Sequence, residues 1–161
     1  MPEPRSVIVI CTANQCRSPM AAAILRNYLN RMDPDTSWRV ESAGTWATPG
    51  VPATPQGVQV MAQRGLDTSQ HRSRSISKGL LDQFQLILTM ESGHKEAIQV
   101  EFPDLANRVF LLTEMAGHKV SIKDPIGEPF FKYQSTAREI DEWITRGLPK
   151  ILENLNYPEI E

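Results

Sequence analysis

Cys11 and Arg17 stand six positions apart in the run Cys11-Thr12-Ala13-Asn14-Gln15-Cys16-Arg17-Ser18-Pro19. A thiol and a guanidinium so placed can serve as nucleophile and anion clamp. Clustered backbone N–H groups and a nearby cation favour the thiolate, which is the reactive form. The planar fork of arginine can grip two oxygens of a phosphate. Ser18 is positioned to cap a helix and also to point its hydroxyl back at the sulfur, where it would support a departing thiolate. Taken singly, these residues fit equally well as a packed thiol, a surface cation and a plain cap. Their setting in the chain is what joins them into a site.

Ser6-Val7-Ile8-Val9-Ile10 is a continuous β-branched run, the pattern of a central strand covered on both faces of a parallel sheet. From Ser18 onward Ala21, Ile24, Leu25, Tyr28, Leu29 and Met32 recur at helical spacing, with Pro19 suited to the first helical position after a serine N-cap. The intervening residues form a tight loop between a strand end and a helix N-terminus. Such a loop presents N–H groups and the positive end of the helix dipole to one point, where an anion belongs. Asn14, in its middle, can take the left-handed conformation that such a curl needs without a glycine.

Further along, Trp38–Ser42 reads as a second strand, and Thr54-Pro55 opens a helix that Gly65 closes. Phe84–Thr89 reads as a third strand, a helix passes through Ala97 and Ile98, and Arg108–Leu112 reads as a fourth strand. A last helix carries Tyr133, Ala137, Ile140, Ile144, Leu148 and Ile151 on one face, with a kink or break expected near Leu148 from Gly147 and Pro149. The alternation of strands and helices, without repeat or linker, predicts one α/β domain over residues 1–161 with an open, mainly parallel sheet. Ligands then bind beyond the carboxyl ends of the strands.

The 161 residues hold 17 basic and 19 acidic side chains, a near balance that argues against a dedicated nucleic-acid binder. No apolar stretch approaches the roughly 20 residues needed to cross a bilayer, and the N-terminal run lacks the length of a secretory signal. A cytoplasmic location with no membrane association is the expectation. Two cysteines five positions apart cannot form a disulfide framework for the chain.

The run Cys11–Pro19 resembles the signature of the low-molecular-weight protein tyrosine phosphatases, and further matches follow in order at Glu41-Ser-Ala-Gly-Thr45, Asp67–Arg74 and Asp124-Pro125. The resemblance spans essentially the whole chain. It implies a three-layer sandwich with a four-stranded, mainly parallel, twisted sheet flanked by helices. It also implies a metal-independent, cofactor-free hydrolysis of phosphotyrosine on a protein substrate, by a monomer or weak dimer. Cys11 would form a phosphocysteine, and Asp124 would protonate the leaving group and then activate water. Arg17 and the amides of Thr12, Ala13, Asn14, Gln15 and Cys16 would hold the phosphoryl oxygens.

By the same resemblance, Ser42 and His71 brace Asn14, and Cys16 pairs reversibly with Cys11 on oxidation. Read from the residues alone, Asp124 is an ordinary turn aspartate, and His71 and Ser42 are a loop histidine and a strand-end serine. Gln15, Trp46, Ile126 and Phe130 are the expected substrate pocket. Phe131 and Tyr133 could join them, or all these aromatics could belong to the core. Tyrosine-specific members of the family place an aromatic residue directly after the Asp-Pro pair, where this chain has Ile126, and an aliphatic one where it has Gln15. Related bacterial enzymes with threonine at that second position act on phosphoarginine, the nearest alternative. Arsenate reductases of this fold carry extra redox cysteines that this chain lacks, and a non-catalytic phosphopeptide-binding module has no need of nucleophile, clamp and acid together.

Overall fold

A computed structural model describes residues 3–158. At its centre lies β1 (Arg5–Cys11), whose Val7, Ile8, Val9 and Ile10 are almost wholly shielded from solvent. It is flanked by β2 (Trp38–Gly44) on one side and β3 (Leu86–Thr89) on the other, and β4 (Val109–Leu111) completes the order β2-β1-β3-β4. Every ladder is parallel; Val7, for example, pairs with both Val40 and Leu86.

The period-two alternation of strand side chains divides the core between two faces. Val7 and Val9 join Leu86 and Leu88 beneath α1 (Arg17–Met32), α2 (Pro55–Gln63) and α5 (Phe130–Asn154). Ile8 and Ile10 join Ile87 and Val109 beneath α3 (Lys78–Leu81) and α4 (Ser92–Glu101). The result is the expected single α/β domain of three layers. Among the described residues no helix is long and apolar enough to cross a membrane.

The chain leaves β1 toward β2 and later crosses back to β3, so connections diverge at the carboxyl ends of β1 and β3. That divergence opens the crevice in which such sheets bind ligands. The segments following these two strands, 12–16 and 90–91, therefore face one another.

Several local readings change. The helix expected to start at Ser18 with that serine as its cap begins at Arg17; Cys16 is the N-cap and makes no side-chain cap bond. Ser18 lies inside the first turn, fully buried, because its hydroxyl has partners in the loop. The expected break near Leu148 is absent, since α5 runs through Gly147 and Pro149. Ile144 and Ile151 are buried on either side of the proline, and Gly147 lies directly against Met115, so packing outweighs the single backbone bond that Pro149 cannot make. β3 and β4 are shorter than expected, and β4 is flanked by 3-10 turns at Pro103–Arg108 and Leu112–Ala116. Thr54 caps α2 as read, accepting a hydrogen bond from Gly57 N.

Candidate active site

The loop between β1 and α1 is anchored from outside through its carbonyls. Thr45 N donates to Cys11 O at 3.0 Å, Trp46 N to Thr12 O at 2.9 Å and Thr54 N to Gln15 O at 2.8 Å. His71 Nε2 donates to Asn14 O at 2.6 Å. Carbonyls turned outward leave peptide N–H groups on the inner side, the arrangement of an anion-binding bowl. Asn14 makes the curl with φ of 58°. Its amide is fully used: Nδ2 donates to Ser18 Oγ at 2.8 Å and Ser42 Oγ at 2.9 Å, and Oδ1 accepts from Arg74 N at 3.0 Å. Ser42 and His71 thus meet Asn14 as expected, and the Arg74 amide adds a partner that the sequence did not suggest.

Cys11 Sγ lies 2.9 Å from Ser18 Oγ. Because Ser18 Oγ already accepts from Asn14, its own hydrogen is available to the sulfur. The bond order is therefore Asn14 to Ser18 to Cys11, which suits a negatively charged sulfur.

Arg17 is only 2% exposed, an unusual place for a guanidinium. Nη1 donates to Glu91 Oε2 and to Ile122 O, both at 2.7 Å, and Nη2 lies 3.6 Å from Asp124 Oδ2. Asp124 Oδ1 accepts from Ile126 N at 3.0 Å in a two-residue side-chain turn, which aims the other oxygen at Arg17. Glu91 and the Ile122 carbonyl were not anticipated. The available signal was position, because Glu91 follows β3 as the loop follows β1.

Gly44, paired with Cys11, lies within the Glu41–Thr45 match, and the structure gives it a role of its own. A Cβ there would sit 2.3 Å from Thr12 O and 3.0 Å from Asn14 N, so the bowl packs directly on a bare backbone.

Thr12 is exposed at the rim and Ala13 and Gln15 are half-buried. Cys16 is a free, buried thiol, as is Cys11. Burial pushes the Cys16 thiol up to about 12, against a countering bond from Thr54. Trp46 adjoins the loop through its backbone, yet its side chain is 84% exposed, and Ile126 is 47% exposed. Phe130 packs against the core, Tyr133 is buried within it and Phe131 is exposed. A groove of about 190 Å³ adjoins the acid, lined by Lys123, Asp124, Pro125, Lys132 and Thr136 among others. A larger one, about 540 Å³, lies at the amino ends of the strands beside Arg39 and Arg108, away from this chemistry.

A parallel sheet whose first strand delivers a cysteine into an arginine-closed anion bowl defines a cysteine-based phosphatase. Residues 6–159 match the family described as low molecular weight phosphotyrosine protein phosphatase, and the chain belongs to that family. It is 38% identical over 146 residues to a probable low molecular weight protein-tyrosine-phosphatase, EpsP, of Ralstonia solanacearum, covering 88% of this chain and 95% of the relative. It is 34% identical to the protein-arginine-phosphatase of Geobacillus stearothermophilus, covering 92% and 97%. The crystal structure of a low molecular weight protein tyrosine phosphatase from T. tengcongensis superposes with a TM-score of 0.84 at 33% identity, covering 91% of this chain and 99% of that one.

Proposed function

We propose that the protein hydrolyses phosphotyrosine on proteins through a phosphocysteine. Cys11 Sγ attacks phosphorus in line while Arg17 and the loop amides take the charge on the equatorial oxygens. Asp124 gives its proton to the departing phenolic oxygen. In the second half, water attacks the phosphocysteine, Asp124 takes its proton, and the S–P bond breaks with the sulfur received as a thiolate by the Ser18 hydroxyl. The observation that carries the reading is the hydrogen-bond chain from Asn14 through Ser18 to Cys11 Sγ, opposite a buried Arg17 whose second nitrogen faces Asp124. Gln15 in the loop, Trp46, which is tied to Thr12 through its backbone, and Ile126 beside the acid are the residues this reading offers to the substrate, whereas Phe130 packs against the core.

Phosphoarginine is the second reading. It is supported by the identity to an arginine phosphatase and by Ile126 where an aromatic residue would stack on a tyrosyl ring. For the two cysteines, peroxide would oxidise Cys11 to a sulfenic acid, and the Cys16 thiol would condense with it, releasing water and forming the disulfide.

The test is hydrolysis of p-nitrophenyl phosphate by the purified protein, with turnover abolished in Cys11→Ser. Asp124→Asn is expected to slow phosphocysteine formation most for poor leaving groups, whereas equal slowing across leaving groups would remove the acid role. Phosphotyrosine and phosphoarginine peptides compared side by side by kcat/KM separate the two substrate readings.

A further inference from the structure

Thr12 follows the nucleophile directly, and its hydroxyl lies 2.8 Å from His94 Nε2. His94 stands in the first turn of α4 and is 6% exposed. Its other ring nitrogen, Nδ1, accepts from Glu91 N at 3.1 Å. A peptide N–H can only donate, so Nδ1 carries no proton in this arrangement. The neutral ring holds its hydrogen on Nε2 and donates it to Thr12 Oγ1. Glu91, whose amide the ring accepts, is also the residue whose carboxylate holds Arg17 Nη1 at 2.7 Å. One imidazole thus spans the site from the residue beside Cys11 to the residue that aims the guanidinium.

The charged groups acting on the ring are Arg17 from α1, Glu91 at the head of its own helix and Asp124 from the segment before α5. Burial, then Arg17, disfavours the imidazolium, while Glu91 and Asp124 favour it; the net direction is below the ordinary histidine value, toward the neutral form that the hydrogen bonds require.

We propose that His94 is a positioning residue for phosphoryl transfer, holding the turn after Cys11 through Thr12 and the carboxylate on Arg17 through the Glu91 amide. The proposal rests on the phosphatase reading. A residue that served only to cap α4 would act without Thr12, and this difference can be measured. His94→Asn keeps an oxygen able to accept from Glu91 N but is too short to reach Thr12. Thr12→Val keeps the branched shape and removes the hydroxyl.

The experiment measures kcat and KM on p-nitrophenyl phosphate, the Kd of inorganic phosphate by calorimetry and the urea midpoint for wild type, both single variants and the double variant. Each single variant is expected to lose about tenfold in kcat/KM, and the double variant to lose no more than either one, because all three cut the same bond. In a Thr12→Ser background, which restores the hydroxyl, His94→Asn is expected to cost its full factor again. Effects that multiply in the double variant, or wild-type kinetics in Thr12→Val, overturn the proposal. So does a His94→Asn variant altered only in its urea midpoint. If His94→Asn fails to fold, Thr12→Val against Thr12→Ser still decides: equal kinetics overturn the proposal, and a loss confined to valine supports it. A wild-type protein that binds phosphate without turning over ester removes the phosphatase reading alone, and the same coupling is then read in the phosphate Kd.

Discussion

Asn14 shows how one side chain can outweigh the strain of its own backbone. A left-handed φ costs on the order of 1–2 kcal/mol for a residue with a Cβ, a cost that glycine would avoid. Three hydrogen bonds from the Asn14 amide, each contributing about 1 kcal/mol net, offset that cost and tie the loop to β2, α1 and the Arg74 segment. At Gly44 the reverse holds, because the space is already taken by Thr12 O. Gly44→Ala must push the loop away from β2 by a good fraction of an ångström. A displacement of that size near reacting groups costs up to roughly a hundredfold in rate. The expected outcome is a folded protein by circular dichroism with at least tenfold lower kcat/KM; unchanged kinetics would mean that the loop yields there without consequence. Asn14 was legible from its place in the Cys11–Pro19 run, whereas Gly44 was not, since its role depends on the β1–β2 register.

Among the elements, α5 departs furthest from its local signals. Gly147 and Pro149 both argue for a stop, and the proline leaves the Thr145 carbonyl without its helical partner. The helix persists because its buried face continues on both sides, through Ile140, Ile144 and Ile151. Gly147 has a packing reason, since an added Cβ would lie 2.6 Å from the Met115 Cβ. In an open helix Gly→Ala gains about 1 kcal/mol, but overpacking a filled contact costs about 1–3 kcal/mol. Gly147→Ala is therefore expected to destabilise, seen as a lower urea midpoint at unchanged slope; a raised midpoint would show that Met115 moves aside. α3 escaped the sequence reading because four residues are too few to display a period. The serine-proline pair at Ser18 resembles a cap, and only the loop's hydrogen bonds draw that serine two positions inward from the N-cap.

For the molecule as a whole, the two histidines bound to the loop, His71 and His94, couple folding to pH. Burial, the largest influence on each, lowers both below the ordinary value near ~6.5. Below about pH 6.5 the unfolded chain binds protons that the folded chain refuses, so stability is full above that pH and falls as pH drops toward the folded values. Urea midpoints measured from pH 7.5 to 5.5 are expected to decline, with a shallower decline in His71→Asn. A flat profile, or one that rises toward acid, would contradict neutral rings, buried at His94 and partly buried at His71.

The contiguous run Cys11–Pro19, the β-branched Val7–Ile10 and the helical spacing after them were enough to define, from sequence alone, a thiol-bearing loop between a central strand and a helix. Those features lie within a few residues of one another, and local sterics and hydrophobic period govern them. The partners of that loop were decided only by the tertiary structure: Glu91 and Ile122 on Arg17, His94 on Thr12, Arg74 on Asn14, and the close approach of Gly44. These residues come from segments far apart in the chain, and they meet because the order β2-β1-β3-β4 places the end of β1 between the end of β2, with Gly44 and the Arg74 segment, and the end of β3, with Glu91 and His94. No local pattern carries that order, since it is set by how both faces of the whole sheet are buried at once.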